Sequence, residues 1–275
     1  MTPASSESPR EGLWHKFLRH LPLDKDLLVK KGRDRSRYLN RQLAWPLAFV
    51  AGAVNAGGYM AIGIYTSHTT GSLSKAMDEA AVGRFGSALF YLGIIAAFML
   101  GASAATFFIH FGHRSRFRSP YGGALFIEAL LLLLFGSVAH YRSLSGTGQA
   151  GFIGACLAFF MGMLNAITTK ISTSEVRVTH MTGNVTDIGI GLVELLYWNR
   201  IPDRKALRVV ADRHRLRLHI GIVVSFLLGG ITGALAFNHI GYEVVFAVAS
   251  ILLFLSVRPV LYDLSVRARL NRAKN

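Results

Sequence analysis

Apolar residues in this chain come in long blocks. After 42 polar and basic residues, runs rich in Leu, Ile, Val, Phe, Ala and Gly cover about 43–65, 87–109, 121–141, 150–169, 218–238 and 242–261. Each run approaches the 20 residues or so that a helix needs to cross the hydrocarbon core of a bilayer. The pattern predicts an all-α polytopic membrane protein with six transmembrane helices. The sixth run is the weakest, because Glu243 and Arg258 leave only 14 uncharged residues between them. Long side chains at its ends can snorkel to the interface. A five-span alternative would put the basic tail beginning at Arg267 on the opposite side from the other basic segments.

The polar remainder divides the chain further. Residues 1–42 form a basic arm that starts Ser/Pro-rich, and Leu13, Trp14, Phe17, Leu18 and Leu21 then recur at helical spacing until Pro22. That stretch reads either as a short helix lying in the headgroup region or as a solvated basic tail. Residues 43–141 carry three spans and 150–262 three more, the latter interrupted by a basic segment at 185–217, and 263–275 form a basic tail. No apolar h-region precedes residue 43, so the first span is the expected insertion signal.

Composition agrees, since 52% of the residues are hydrophobic and 16% charged, too apolar for an ordinary soluble domain. The net charge of +15 would suggest nucleic acid in a soluble protein. Its distribution argues for a membrane instead. Lys and Arg number ten in the arm, three in the 110–120 loop, nine between spans four and five and five from Arg258 onward, against only Lys75, Arg84 and Arg142 on the other face. The asymmetry predicts cytoplasmic termini in a cell membrane, with anionic headgroups as partners and no nucleic acid. The single cysteine, Cys156, forms no intrachain disulfide and supplies no thiolate cluster.

Two polar signatures recur in order. Gly52-Ala53-Val54-Asn55-Ala56 is followed by Ser67-His68-Thr69-Thr70-Gly71-Ser72, and Gly162-Met163-Leu164-Asn165-Ala166 by Thr179-His180-Met181-Thr182-Gly183-Asn184. The offset is 110 residues at the asparagines and 112 at the histidines. A fainter echo joins F-M-L-G-A at Phe98–Ala102 to F-L-L-G-G at Phe226–Gly230. A duplicated unit with an odd number of spans inserts its second copy upside down, which predicts two inverted three-helix repeats. In secondary transporters of that architecture, broken helices at the repeat interface supply the substrate site.

The paired G-x-x-[DN]-A and H-x-T-G-N signatures resemble those of the YoaK-like family of uncharacterised integral membrane proteins (DUF1275), over about residues 40–262. Asn55 stands where that pattern carries Asp, and Ser72 where it carries Asn. The resemblance implies fold and topology, and no substrate.

Candidate chemistry follows from the duplicated positions. Asn55 and Asn165 lie mid-span, where an unsatisfied amide is costly. They are either interhelical packing bonds or symmetry-related substrate ligands. Thr70-Gly71-Ser72 and Thr182-Gly183-Asn184 either bind solute at a helix start or simply end one helix and begin the next. His68 and His180 beside them are gates or interfacial side chains, and no second ligand at helical spacing suggests a metal. Lys75 and Asp187, four residues beyond the two glycines, could pair only if both segments dip toward the midplane. Glu128, roughly 12 Å from the cytoplasmic end of its span, is a candidate for proton or ion coupling, or a neutral acid bonded to a neighbouring helix. The expected function is a secondary transporter or permease for a small solute. The alternative is a non-transporting scaffold or lipid-binding protein. An intramembrane enzyme fits worse, because a rhomboid-like protease needs a serine nucleophile and a histidine base on facing helices, and no G-x-S-G stands in span four and no histidine in span six. No cofactor is expected.

Overall fold

The computed structural model describes residues 27–29, 37–141, 147–197 and 209–272. Its helices are α1 (Arg37–Ile62), α2 (Thr69–Ala81), α3 (Phe85–Arg114), α4 (Pro120–Tyr141), α5 (Thr147–Ile171), α6 (Met181–Leu196), α7 (Arg213–Ile240) and α8 (Val244–Arg272). Five stretches are long and apolar enough to cross a membrane, namely Arg37–Ile62, Phe85–Arg114, Pro120–Tyr141, Gln149–Ile171 and Arg213–Ala268. The last would be about 84 Å long if straight. It is broken at Gly241, whose φ of 63° suits a residue without Cβ. There the chain makes a 3-10 turn, Gly241–Glu243, between α7 and α8. The apolar runs therefore became helices with ends shifted by a few residues. The segment with apolar spacing at Leu13–Leu21 lies outside the described residues. From the arm, Leu27 and Leu28 are buried in the bundle, and Ser119 Oγ donates to the Leu28 carbonyl at 3.0 Å.

Helix α1 runs along α7, and α3 runs along α5. Both crossings are built on glycine, which lets backbones touch where lipid offers no hydrophobic drive for association. Between α1 and α7, a Cβ on Gly52 would overlap the Phe226 carbonyl, and one on Gly229 the Phe49 carbonyl. Between α3 and α5, a Cβ on Gly162 would overlap the Phe98 carbonyl, and one on Gly101 the Phe159 carbonyl. These are the same four positions in each half. Helix α4 packs on α8, while α2 lies against α3 and α6 against α7.

The outward faces of α3 and α7 are apolar, with Leu89, Leu100 and Phe107 on one and Leu227, Leu228 and Leu235 on the other left exposed. Lipid tails suit surfaces of this kind and extent, which water does not. The chain is accordingly a multi-pass helical membrane protein.

Candidate functional site

Helices α2 and α6, of 13 and 16 residues, rise only about 20 and 24 Å, too short to span. What they do is set by the two asparagines. Asn55 Oδ1 accepts from the Ser67 backbone N–H at 3.1 Å and from Ser67 Oγ at 2.9 Å. Asn165 Oδ1 accepts from Thr179 Oγ1 at 2.7 Å, and its Nδ2 donates to the Met161 carbonyl at 2.7 Å. Asn55 stands seven residues before the end of α1, roughly 10 Å along the axis. The chain leaves α1 at Ile62, folds back along it, and begins α2 at the depth of Asn55. The second half repeats this, with Asn165 six residues before the end of α5. Both asparagine oxygens therefore latch the loop of their own half.

His68 and His180 are the N-cap residues of α2 and α6, and neither ring makes a capping bond. Each ring instead lies over the glycine three residues on, where a Cβ on Gly71 or Gly183 would overlap it. The Thr-Gly-Ser and Thr-Gly-Asn segments thus lie in the first turn of each short helix, with Thr70 and Thr182 exposed. The first turn bonds run from Ser72 N to His68 O at 2.9 Å and from Asn184 N to His180 O at 3.1 Å. The N–H groups just before them have no helical partner.

From this shared frame the halves diverge. In the second, Asn184 is buried; its Nδ2 donates to the Arg177 carbonyl at 3.0 Å and its Oδ1 faces His219 Nδ1 at 2.8 Å. The amide orientation makes His219 Nδ1 the donor. His219 Nε2 has Asp187 Oδ2 at 3.4 Å and Arg215 Nε at 3.5 Å. It can therefore accept from the arginine when neutral or donate to the carboxylate when charged. Arg215 Nη2 also reaches Asp187 Oδ1 at 3.3 Å. The cluster staples α6 to α7.

In the first half the corresponding positions surround a cavity of about 350 Å³, lined by His68, Gly71, Ser72, Lys75, Asp78 and Tyr91 among others. Tyr91 precedes Phe98 by the same interval as His219 precedes Phe226, so it holds the position of the histidine. Lys75 and Asp187 are not brought together, because α2 lies against α3 and α6 against α7; Asp187 is engaged instead by Arg215 and His219. A narrow second cavity of about 20 Å³ runs beside α1 and is lined by apolar residues such as Ala53, Gly57, Leu132 and Leu157, with neither asparagine among them. Glu128 is buried in α4, and among the described residues no donor reaches its Oε2.

Three participants were not singled out in the sequence, namely His219, Arg215 and Tyr91. The Phe98–Phe226 echo, carried back along α3 and α7, was the signal that pairs Tyr91 with His219. Among the described residues no group of three or more His, Cys, Asp and Glu side chains could hold a metal.

The model of a family described as a protein of unknown function (DUF1275) matches residues 43–257, and the chain belongs to that family. No curated protein and no solved structure matches it.

Proposed function

Because membership in this family carries no activity, we propose a function from the geometry: a secondary transporter or permease for a small solute, and not an enzyme, built from two inverted three-helix repeats. Six crossings follow when α7 and α8 each cross once on either side of Gly241, and the charge asymmetry then puts both termini in the cytoplasm. The matched glycine crossings and asparagine latches support the repeat. The observation that carries the transport reading is the pair of short helices whose starts are tied by hydrogen bonds to Asn55 of α1 and Asn165 of α5. Broken helices that bring free N–H groups to mid-depth are how transporters of this architecture contact solute. Glu128, buried with an unpaired oxygen, is the residue we assign to proton coupling. In this reading α2 faces outward with its cavity open, and α6 faces the cytoplasm with its cluster closed.

One observation favours the alternative of a scaffold that binds lipid. Tyr38, Arg41, Gln42, Trp45 and Phe49 line an outer groove of about 590 Å³ at the start of α1, a combination of cation and aromatic rings suited to an anionic headgroup.

Labelling of Ser74→Cys and Thr186→Cys, in a Cys156→Ala background with impermeant thiol reagents, separates the two. These equivalent positions are both exposed. An inverted transporter gives Ser74→Cys labelled fast in intact cells and Thr186→Cys fast in inverted vesicles, each also labelled slowly from its other side as the protein alternates. Labelling of each from one side only, under every condition, leaves the scaffold.

A further inference from the structure

We propose that the cavity at the start of α2 is a binding site for a small organic anion, whose negative group sits between the first-turn N–H groups of α2, Ser72 Oγ and Lys75. This deepens the transport reading and rests on it for the ligand's status as cargo.

A helix start alone is weak ground, since every helix has one. Ser72 supplies the second observation. It is 4% exposed and lines the cavity; its N–H bonds to His68, yet among the described residues its hydroxyl has no hydrogen-bond partner. Its oxygen is therefore free to bond whatever occupies the cavity that Ser72 lines.

Charge selects the sign. The free N–H groups of Thr70 and Gly71 and the positive end of the helix dipole favour an anion. Lys75, one turn further along the same face, reaches the cavity, and among the described residues it makes no ion pair. Asp78 opposes it, but lies seven residues beyond Gly71, about 10 Å up the helix. An anion seated at Ser72 is therefore closer to the lysine than to the aspartate. Tyr65 and Tyr91 also line the cavity and offer an organic anion apolar surface. A volume of about 350 Å³ lies at the small end of the range of ligand pockets.

The second half shows why the site is single. There the residue equivalent to Ser72 is Asn184, tied to His219 and the Arg177 carbonyl, and the residue equivalent to Lys75 is Asp187, an anion. The same helix start is blocked and carries the wrong sign for an anion.

The test needs no identified ligand and no transport. Purified full-length protein in detergent, carrying Ser72→Cys in a Cys156→Ala background, is reacted with two methanethiosulfonates, one anionic with a sulfonate and one cationic with a trimethylammonium group. Their rates are normalised to a small free thiol. The expected normalised ratio favours the anionic reagent by about tenfold, and Lys75→Glu reverses the preference. Benzoate is expected to slow the reaction in a saturable way, whereas its neutral isostere benzamide is not. Ser74→Cys, at an exposed cavity position, serves if Ser72→Cys does not fold. A ratio at or below one, or equal protection by benzoate and benzamide, would overturn the proposal. An anion preference in detergent beside one-sided labelling in membranes would keep the site and reject transport.

Discussion

The first half of the bundle presents the start of its short helix to an open cavity, and the second half covers the same start with a buried, hydrogen-bonded cluster. Both halves share the latch, since Asn55 and Asn165 hold Ser67 and Thr179. They also share the crossings, since the same four glycine and phenylalanine positions bring α1 onto α7 and α5 onto α3. They differ where Ser72, Lys75, Ser87 and Tyr91 of the first half correspond to Asn184, Asp187, Arg215 and His219 of the second. Backbone architecture has been kept twice, and side chains decide which half can take a ligand.

The shared part breaks most severely. Gly52→Ala and Gly162→Ala each force a methyl group into a backbone carbonyl that cannot rotate away, so the helix pair must part. Overpacking of this kind costs about 1–3 kcal/mol and sometimes more, above the gain of roughly 1 kcal/mol that alanine brings to a helix. The two variants should lose similar amounts of melting temperature in detergent. Gly230→Ala is the control, because the nearest atom to its Cβ would be 3.7 Å away, and it should melt at or above the parent. Loss in one half only would show that the crossings are not equivalent.

A smaller effect separates the halves. His219→Ala removes the donor to Asn184 Oδ1 and leaves a buried amide oxygen unpaired, a cost of about 1–3 kcal/mol. Tyr91→Ala, at the matching position beside an open cavity, strands no bonded partner of this kind and should cost less. Hydrogen exchange read along α6 and α2 distinguishes local from global loss, with α6 loosening in His219→Ala. Equal loosening of both short helices would mean that the cluster is no staple.

Much of this frame was legible in the sequence, and the reasons are physical. The apolar runs lie in long helices, five stretches of which are apolar enough to cross a membrane, because span length is set by bilayer thickness, and the halves matched because close helix crossings need glycine at equivalent places. The short helices were harder to read. Thirteen residues from Thr69 to Ala81 have too little apolar length to register as a span, and their depth depends on two bonds, from the Ser67 N–H and Oγ to Asn55. The cluster was harder still, since His219 meets Asn184 across 35 residues and no local spacing announces it. A symmetric site between the asparagines was a fair expectation from duplicated positions. In the structure both oxygens accept from the loops that follow their own helices, and the open cavity lies in one half.

The smallest expected effect lies where α3 and α7 begin. Arg84 and Asp212 are their N-cap residues; Arg84 makes no side-chain cap, whereas Asp212 accepts from the His214 and Arg215 N–H groups at 3.0 and 3.2 Å. The Arg215 N–H bond is the main reason that the Asp212 carboxyl is held below the usual carboxylate range, with burial opposing it and Arg37 and the His214 N–H assisting. A depressed folded value means that the stabilisation is complete above the unfolded value, near 3.9 for Asp, and fades as pH falls through the folded one. Wild type and Asp212→Ala should therefore differ in melting temperature at pH 7 and converge as the pH drops below about 4. The side chain is 44% exposed, and its pair with Arg37 lies at the surface, so solvent screens that part and the gap will be small. A gap that stays constant into acid would mean that the charge on Asp212 contributes nothing, and that the second half owes its firmer start to the cluster around His219 alone.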